Sequence, residues 1–192
     1  MNVIYRYLLS SMETEYETVQ TLKRSPRGCV LLVQNRQNGA RFLFRDYQGS
    51  GEVYRKLLTV SCPHLPRILE AAEQDGRVAV LEEYIQGDSL AFLLAGARLT
   101  PAQAREITLQ LCRALWVLHS LGAVHRDVTP ENDILRGSQA VLIDFDASRL
   151  FKDSTSQDTQ VLGTTGYAAP EQYGIAQTDA RADIYSLGVL LN

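Results

Sequence analysis

Lysine is scarce in this 192-residue chain: Lys23, Lys56 and Lys152 stand against sixteen arginines. Chemistry that needs a compact ammonium group has three candidates, whereas chemistry that accepts a guanidinium has many. Cysteine is sparse too. Cys29, Cys62 and Cys112 are odd in number, far apart and at no metal-ligand spacing, which argues against a disulfide framework or a zinc cluster. Long hydrophobic runs are missing. The most apolar stretches, 109–121 and 184–191, are broken by polar residues and fall short of the roughly 20 residues that span a bilayer. The first residues also lack a secretory cleavage pattern, so the expected location is cytoplasmic with no membrane segment. Charge of one sign is absent as well. With 19 basic and 22 acidic residues the net charge is -3, which argues against a polyanion surface and so against nucleic acid as a partner. What remains is an ordinary globular composition, 45% hydrophobic and 21% charged, long enough to bury a core.

The hydrophobic period changes along the chain. Between residues 18 and 84, short β-rich runs at 29–33, 41–47, 68–72 and 78–84 are punctuated by Asn38-Gly39 and Asp75-Gly76, which predicts an antiparallel sheet with tight turns. One helical stretch, 51–60, interrupts it. After Gly87 the spacing is helical. Thr100-Pro101-Ala102-Gln103 has the form of a capping box with proline at the first helical position, and Ile107, Leu111, Leu115 and Leu118 continue as an apolar stripe to a stop at Gly122. Two short strands are expected near 134–136 and 140–143, a polar loop over 152–160, and a last helix from Asp179.

The strongest local signal is His125-Arg126-Asp127-Val128-Thr129-Pro130-Glu131-Asn132, followed by Asp144-Phe145-Asp146. Carboxylates and an amide on loops beside short strands suit a divalent cation with phosphate oxygens, and leave one carboxylate to orient a hydroxyl nucleophile. In this order and spacing the residues resemble the eukaryotic-type protein kinase family, and bacterial serine/threonine kinases most of all. Gly163-Thr164-Thr165-Gly166-Tyr167-Ala168-Ala169-Pro170-Glu171 resembles the end of an activation segment, and Asp183-Ile184-Tyr185-Ser186-Leu187-Gly188 the start of the helix beneath the catalytic loop. The resemblance implies an α+β, bilobal fold. Its parts would be an N-terminal extension (1–17), a small lobe of antiparallel sheet plus one helix (18–85), and a mainly helical, incomplete large lobe (86–192).

The resemblance also implies a function: ATP- and magnesium-dependent transfer of the γ-phosphoryl group to Ser or Thr hydroxyls of a protein substrate. It gives Asp127, Arg45 and Thr164 catalytic parts, and Asn132 and Asp144 the metal. Val30, Leu43, Arg45, Glu83, Ile85 and Ile134 would meet the nucleotide, with Glu82 as gatekeeper. Arg126 would contact the activation segment, and Asp183 would hold the backbone of the catalytic loop.

The small lobe departs from the family where it should grip the nucleotide. The glycine-rich loop reads Lys23-Arg24-Ser25-Pro26-Arg27-Gly28-Cys29-Val30, keeping only its last glycine, and Pro26 removes an amide donor. Val-Ala-Ile-Lys becomes Phe42-Leu43-Phe44-Arg45. Val53 falls where a helix glutamate is expected, with Glu52 one residue away, and Asp146 replaces a glycine. These departures support an alternative: a pseudokinase acting as a binding or regulatory module. Lys23, Arg24 and Arg27 either bring side-chain charge to phosphates or form a solvated basic turn. Asp133 is either a buried, uncharged carboxyl or an exposed strand end. Ser154, Thr155, Ser156 and Thr159 are either phosphorylation sites facing Arg126 or solvated hydroxyls. Against the family pattern the chain stops within the helix from Asp179. Exposed apolar surface is therefore expected at Ile184, Leu187, Leu190 and Leu191, with self-association through it.

Overall fold

The computed structural model describes residues 3–151, 163–173 and 178–191; the four hydroxyl residues at 154–156 and 159 lie outside them. The chain divides into two compact units, Met1–Ser61 with Pro66–Tyr84 and Cys62–Leu65 with Ile85–Asn192.

In the first unit, β1 (Tyr16–Ser25), β2 (Gly28–Asn35), β3 (Arg41–Gln48), β4 (Ile68–Gln74) and β5 (Arg77–Glu83) form one antiparallel sheet in the order β1-β2-β3-β5-β4. The turns fall where the glycines demand them. Asp75 and Gly76 both have positive φ, 51° and 74°, the backbone that a two-residue hairpin between right-twisted strands requires. Within this sheet, β1 is the strand that the hydrophobic pattern does not reveal, because all but its first residue are exposed and no alternation marks it.

Alternation along the other strands gives the sheet two different faces. Val33, Phe44, Ala72, Ala79 and Leu81 lie on one, covered by Tyr5 and Leu8 of α1 (Val3–Thr14). The segment read only as an extension is thus a helix that closes a core. Val30, Leu32, Leu43, Arg45, Val80 and Glu82 share the opposite face through their register. On that face, two residues beyond Arg45, Tyr47 meets Tyr54 of α2 (Glu52–Leu57) with ring centroids 6.4 Å apart. The helix expected over 51–60 is shorter than its spacing suggests. β-branched Thr59 and Val60 and then Pro63 disfavour its continuation, and Val60 N–H already closes a tighter turn onto Leu57 O at 3.0 Å.

In the second unit, β6 (Asp88–Ser89), β8 (Asp133–Arg136) and β9 (Gln139–Leu142) make a small sheet, and β7 (Ala123–Val124) pairs with β10 (Arg149–Leu150). The helices are α3 (Leu90–Gly96), α4 (Pro101–Ser120) and α5 (Ala180–Leu190). The capping box at Thr100 is formed: Gln103 N–H donates to Thr100 Oγ1, and Thr100 N–H to Gln103 Oε1. Ile107, Leu111, Leu115 and Leu118 are buried as the stripe predicts. On the same face, Gln110 accepts from Ala140 N–H at 2.7 Å and donates to Ser138 O at 3.1 Å, so one amide ties α4 to β9. The expectation for α5 needs correction at Leu187, which is buried. It lies one turn beyond Asp183 on the face turned to β7, while Ile184 and Leu191 are exposed.

Candidate active site

Asp183 shapes the loop that carries the site. Its Oδ2 accepts from His125 N–H at 2.9 Å and its Oδ1 from Arg126 N–H at 2.7 Å, which is the backbone-holding part expected of it. His119 Nε2 lies 2.8 Å from the same Oδ2. These bonds hold Arg126 at φ 72°, a left-handed conformation that costs a non-glycine residue about 1–3 kcal/mol. Gln172 Nε2 adds a bond to Arg126 O at 2.7 Å. Burial, with Arg149 nearby, pushes the Arg126 guanidinium down to about 10, and Asp183 opposes the shift. A buried cation beside a second cation is thereby fixed at the base of the loop.

Asp127 follows directly and is half-buried. Asn132 Nδ2 donates to Asp127 Oδ2 at 2.8 Å and to its backbone O at 2.9 Å, while Thr164 Oγ1 donates to Oδ1 at 2.7 Å. Both carboxylate oxygens therefore accept a hydrogen bond, which fixes the orientation of the group. The proline-led 3-10 turn Pro130–Asn132 turns the Asn132 amide back onto Asp127. With Nδ2 committed, its Oδ1 is the atom left to face a cation. Ile143 N–H donates to Asn132 O at 2.8 Å, bringing the stretch that enters Asp144 alongside. Phe145 is buried edge-on against His125, with centroids 5.5 Å apart, and anchors the other side of Asp144. Asp144 has φ 67°, and its Oδ1 accepts from Asp146 N–H at 3.3 Å. An amide oxygen and a carboxylate are the hard donors that suit magnesium, which keeps several waters of its own.

Of the remaining expected residues, Val30, Leu43, Arg45 and Glu83 lie in the first unit and Ile85 and Ile134 in the second. Arg45 Nε donates to Glu82 Oε1 at 2.7 Å, with side chains only 3% and 2% exposed. Val53 is buried, and among the described residues the Glu52 carboxylate makes no ion pair. Val30 and Leu43 are buried on the same sheet face, Glu83 N–H donates to Arg67 O at 2.9 Å, Ile85 is buried and Ile134 half-buried. At the β1–β2 tip, Ser25 pairs with Gly28 around Pro26-Arg27. Pro26 has no N–H, and that of Arg27 is taken by Ser25 Oγ at 3.2 Å, so the turn presents no amide cradle. The surviving glycine answers to the sheet instead: a Cβ on Gly28 would collide with Asp46 O.

Residues 51–192 match the protein kinase domain family. The chain belongs to that family. It is 38% identical over 144 residues to the serine/threonine-protein kinase pkn2 of Myxococcus xanthus, covering 71% of this chain and 17% of pkn2. It is 40% identical over 116 residues to the serine/threonine-protein kinase PknB of Mycobacterium leprae, covering 58% of this chain and 19% of PknB. Against serine/threonine-protein kinase 36 of Pongo abelii it is 34% identical over 148 residues, covering 77% of this chain and 11% of the relative. The chain thus spans less than a fifth of the length of each of these kinases. Two features of this kinase domain escape a reading of the sequence alone, Glu82 as partner of Arg45 and Gln172 as support for Arg126. A charged residue ending the buried run of β5 was the available sign of the first; nothing local marks the second.

Proposed function

We propose that this kinase domain binds magnesium-ATP and transfers the γ-phosphoryl group to a Ser or Thr hydroxyl of a protein. The Asp127 carboxylate, oriented through one oxygen by Asn132 and through the other by Thr164, is the observation that carries the reading. Asp127 is the catalytic base: it accepts the hydrogen bond of the acceptor hydroxyl, aligns its oxygen and takes its proton. Thr164 keeps that carboxylate from rotating. Asn132 Oδ1 and Asp144 would hold the cation, which would neutralise phosphate charge when bound. Arg45 contributes charge to the phosphates; Val30, Leu43 and Ile134 are the apolar contacts of the base, and the backbones of Glu83 and Ile85 its polar ones. No described helix is long and apolar enough to cross a membrane. The exposed Ile184 and Leu191 of α5 support self-association, which sedimentation at rising concentration tests.

Radiolabel transfer from ATP to casein should fall by about 100-fold or more in Asp127→Asn; equal transfer by both proteins removes Asp127 from the mechanism. The pseudokinase reading draws on the capped Arg27 amide and the buried Arg45–Glu82 pair. It expects no change in melting temperature with millimolar magnesium-ATP. Binding at 100 times the dissociation constant would instead add about 2.7 kcal/mol.

A further inference from the structure

We propose that Gln172 is a positioning residue for the acceptor: its amide clips the segment 163–173 to the catalytic loop, and so sets where a Ser or Thr hydroxyl arrives beside Asp127. The inference rests on the phosphoryl-transfer reading above and deepens it. Thr164 Oγ1 donates to Asp127 Oδ1 at 2.7 Å, so this segment borders the base, and a protein chain that offers a hydroxyl to that carboxylate reaches it past the segment. Further along, the Gln172 side chain is fully buried. Its Oε1 accepts from Ala169 N–H at 3.1 Å, and its Nε2 donates to Arg126 O at 2.7 Å. One amide without exposed surface thus holds backbone groups of both the segment and the loop, which fixes the distance between them.

Each end of the clip is made rigid by its surroundings. Gln172 lies in the 3-10 turn Pro170–Tyr173, where its own N–H donates to Ala169 O at 2.9 Å. With its side chain returning to Ala169 N–H, the two residues close a reciprocal pair of the kind that caps a helix. On the loop side, Arg126 has φ 72°, its N–H held by Asp183 Oδ1 and its carbonyl by Gln172. Strained backbone persists where its surroundings over-determine it; here one tether comes from α5 and the other from the segment. Gly163 bears on the same clip, because a Cβ there would press on the Ala168 methyl group and on Gln172 Nε2. A glycine at 163 therefore leaves the amide its place. Ser186 Oγ also holds the segment, donating to Tyr167 O at 2.8 Å, but that bond leads to α5 and not to the loop. Without the amide, the segment is free to shift against Asp127, and a misplacement of about 1 Å between reacting groups costs up to about 100-fold in rate.

The test separates transfer to a protein from transfer to water, because water needs no acceptor segment. On the full chain, radiolabel transfer from magnesium-ATP is followed over a range of casein concentrations, and ATP hydrolysis is followed without casein. Gln172→Met, which fills the space but offers neither bond, should lower kcat/KM for casein by about 10-fold or more, with hydrolysis and the KM for magnesium-ATP within about twofold of wild type. Gly163→Ala crowds the amide without removing it and should move the ratio of transfer to hydrolysis in the same direction. Should Gln172→Met not fold, Gln172→Asn keeps both polar atoms but is one methylene short of spanning its two partners, and should show part of the same loss. If Gln172 only supports the loop, hydrolysis and transfer fall together in these variants, and the proposal fails. Unchanged transfer to casein in the Gln172 variants overturns it as well, and either result leaves the phosphoryl-transfer reading intact. A wild-type chain that transfers nothing to casein overturns that reading and the positioning role together.

Discussion

Asp133 opens β8 with no exposed surface, and among the described residues neither carboxylate oxygen has a hydrogen-bond partner. Burial pushes its carboxyl well above the usual range, so the buried, uncharged alternative for this residue holds and the exposed strand end does not. Replacing it with leucine, which fits the apolar side of β8, should stabilise the protein by about 1–3 kcal/mol in denaturant titrations. The pH dependence has a definite sign. In the unfolded chain the group ionises near pH 4, whereas folded it stays protonated to a higher pH. Unfolding therefore releases a proton throughout that window, and wild-type stability falls as pH rises through it. The gain from Asp133→Leu should accordingly be larger at pH 7 than at pH 4; an equal gain at both would show that the carboxyl is not held neutral. Asp127, Asn132 and Thr164 were legible because each sits in a short motif whose spacing is local. Glu82 and Arg45 are separated by 37 positions and meet only through strand register, and a single sequence does not fix which carboxylate of several reaches a buried arginine.

Helix ends show how local chemistry becomes an element. Asp179 caps α5, accepting from Arg181 N–H at 2.9 Å while Arg181 Nη2 donates to its Oδ2 at 2.8 Å. The ion pair is exposed and adds little; the cap itself is worth about 1 kcal/mol. Bonding to the Arg181 side chain holds the Asp179 carboxyl below its usual range. Its contribution is thus complete above the unfolded value near pH 3.9 and disappears as pH falls through the lower folded one. Asp179→Ala should cost about 1 kcal/mol at pH 7 and less as the pH is lowered below the unfolded value, read by urea midpoints; a cost that does not change in acid would assign it to packing. A capping box made the start of α4 readable from sequence. α1 was not, although Tyr5, Leu8 and Met12 recur at helical spacing, because its value lies in the sheet face it covers. Leu8→Ala should cost about 2–5 kcal/mol, since Leu8 is completely buried against that face.

Across the whole molecule, the buried clusters around Leu8 and Leu111 belong to different units. Leu8 packs with Tyr5, Val33, Phe44, Ala72, Ala79 and Leu81, all from the first unit. Leu111, equally buried, lies on the α4 stripe that packs on β9 in the second. The second unit was the more legible because its motifs, caps and stripe are contiguous in sequence, whereas the first depends on which face of five strands meets which helix. The same division predicts where instability spreads. Free energies of local opening are set by the buried contacts of each cooperative unit, so removing a core side chain should loosen its own unit and spare the other. In hydrogen exchange read by mass spectrometry, Leu8→Ala should raise exchange in β2, β3 and β5 while α4 and β9 keep wild-type protection. Leu111→Ala should do the reverse. The paired substitutions should then add within about 0.5 kcal/mol, because they share no partners. Faster exchange in α4 caused by Leu8→Ala would instead mean that the units open as one, and that a ligand gripped by the sheet of the first unit stabilises the catalytic loop of the second through folding alone.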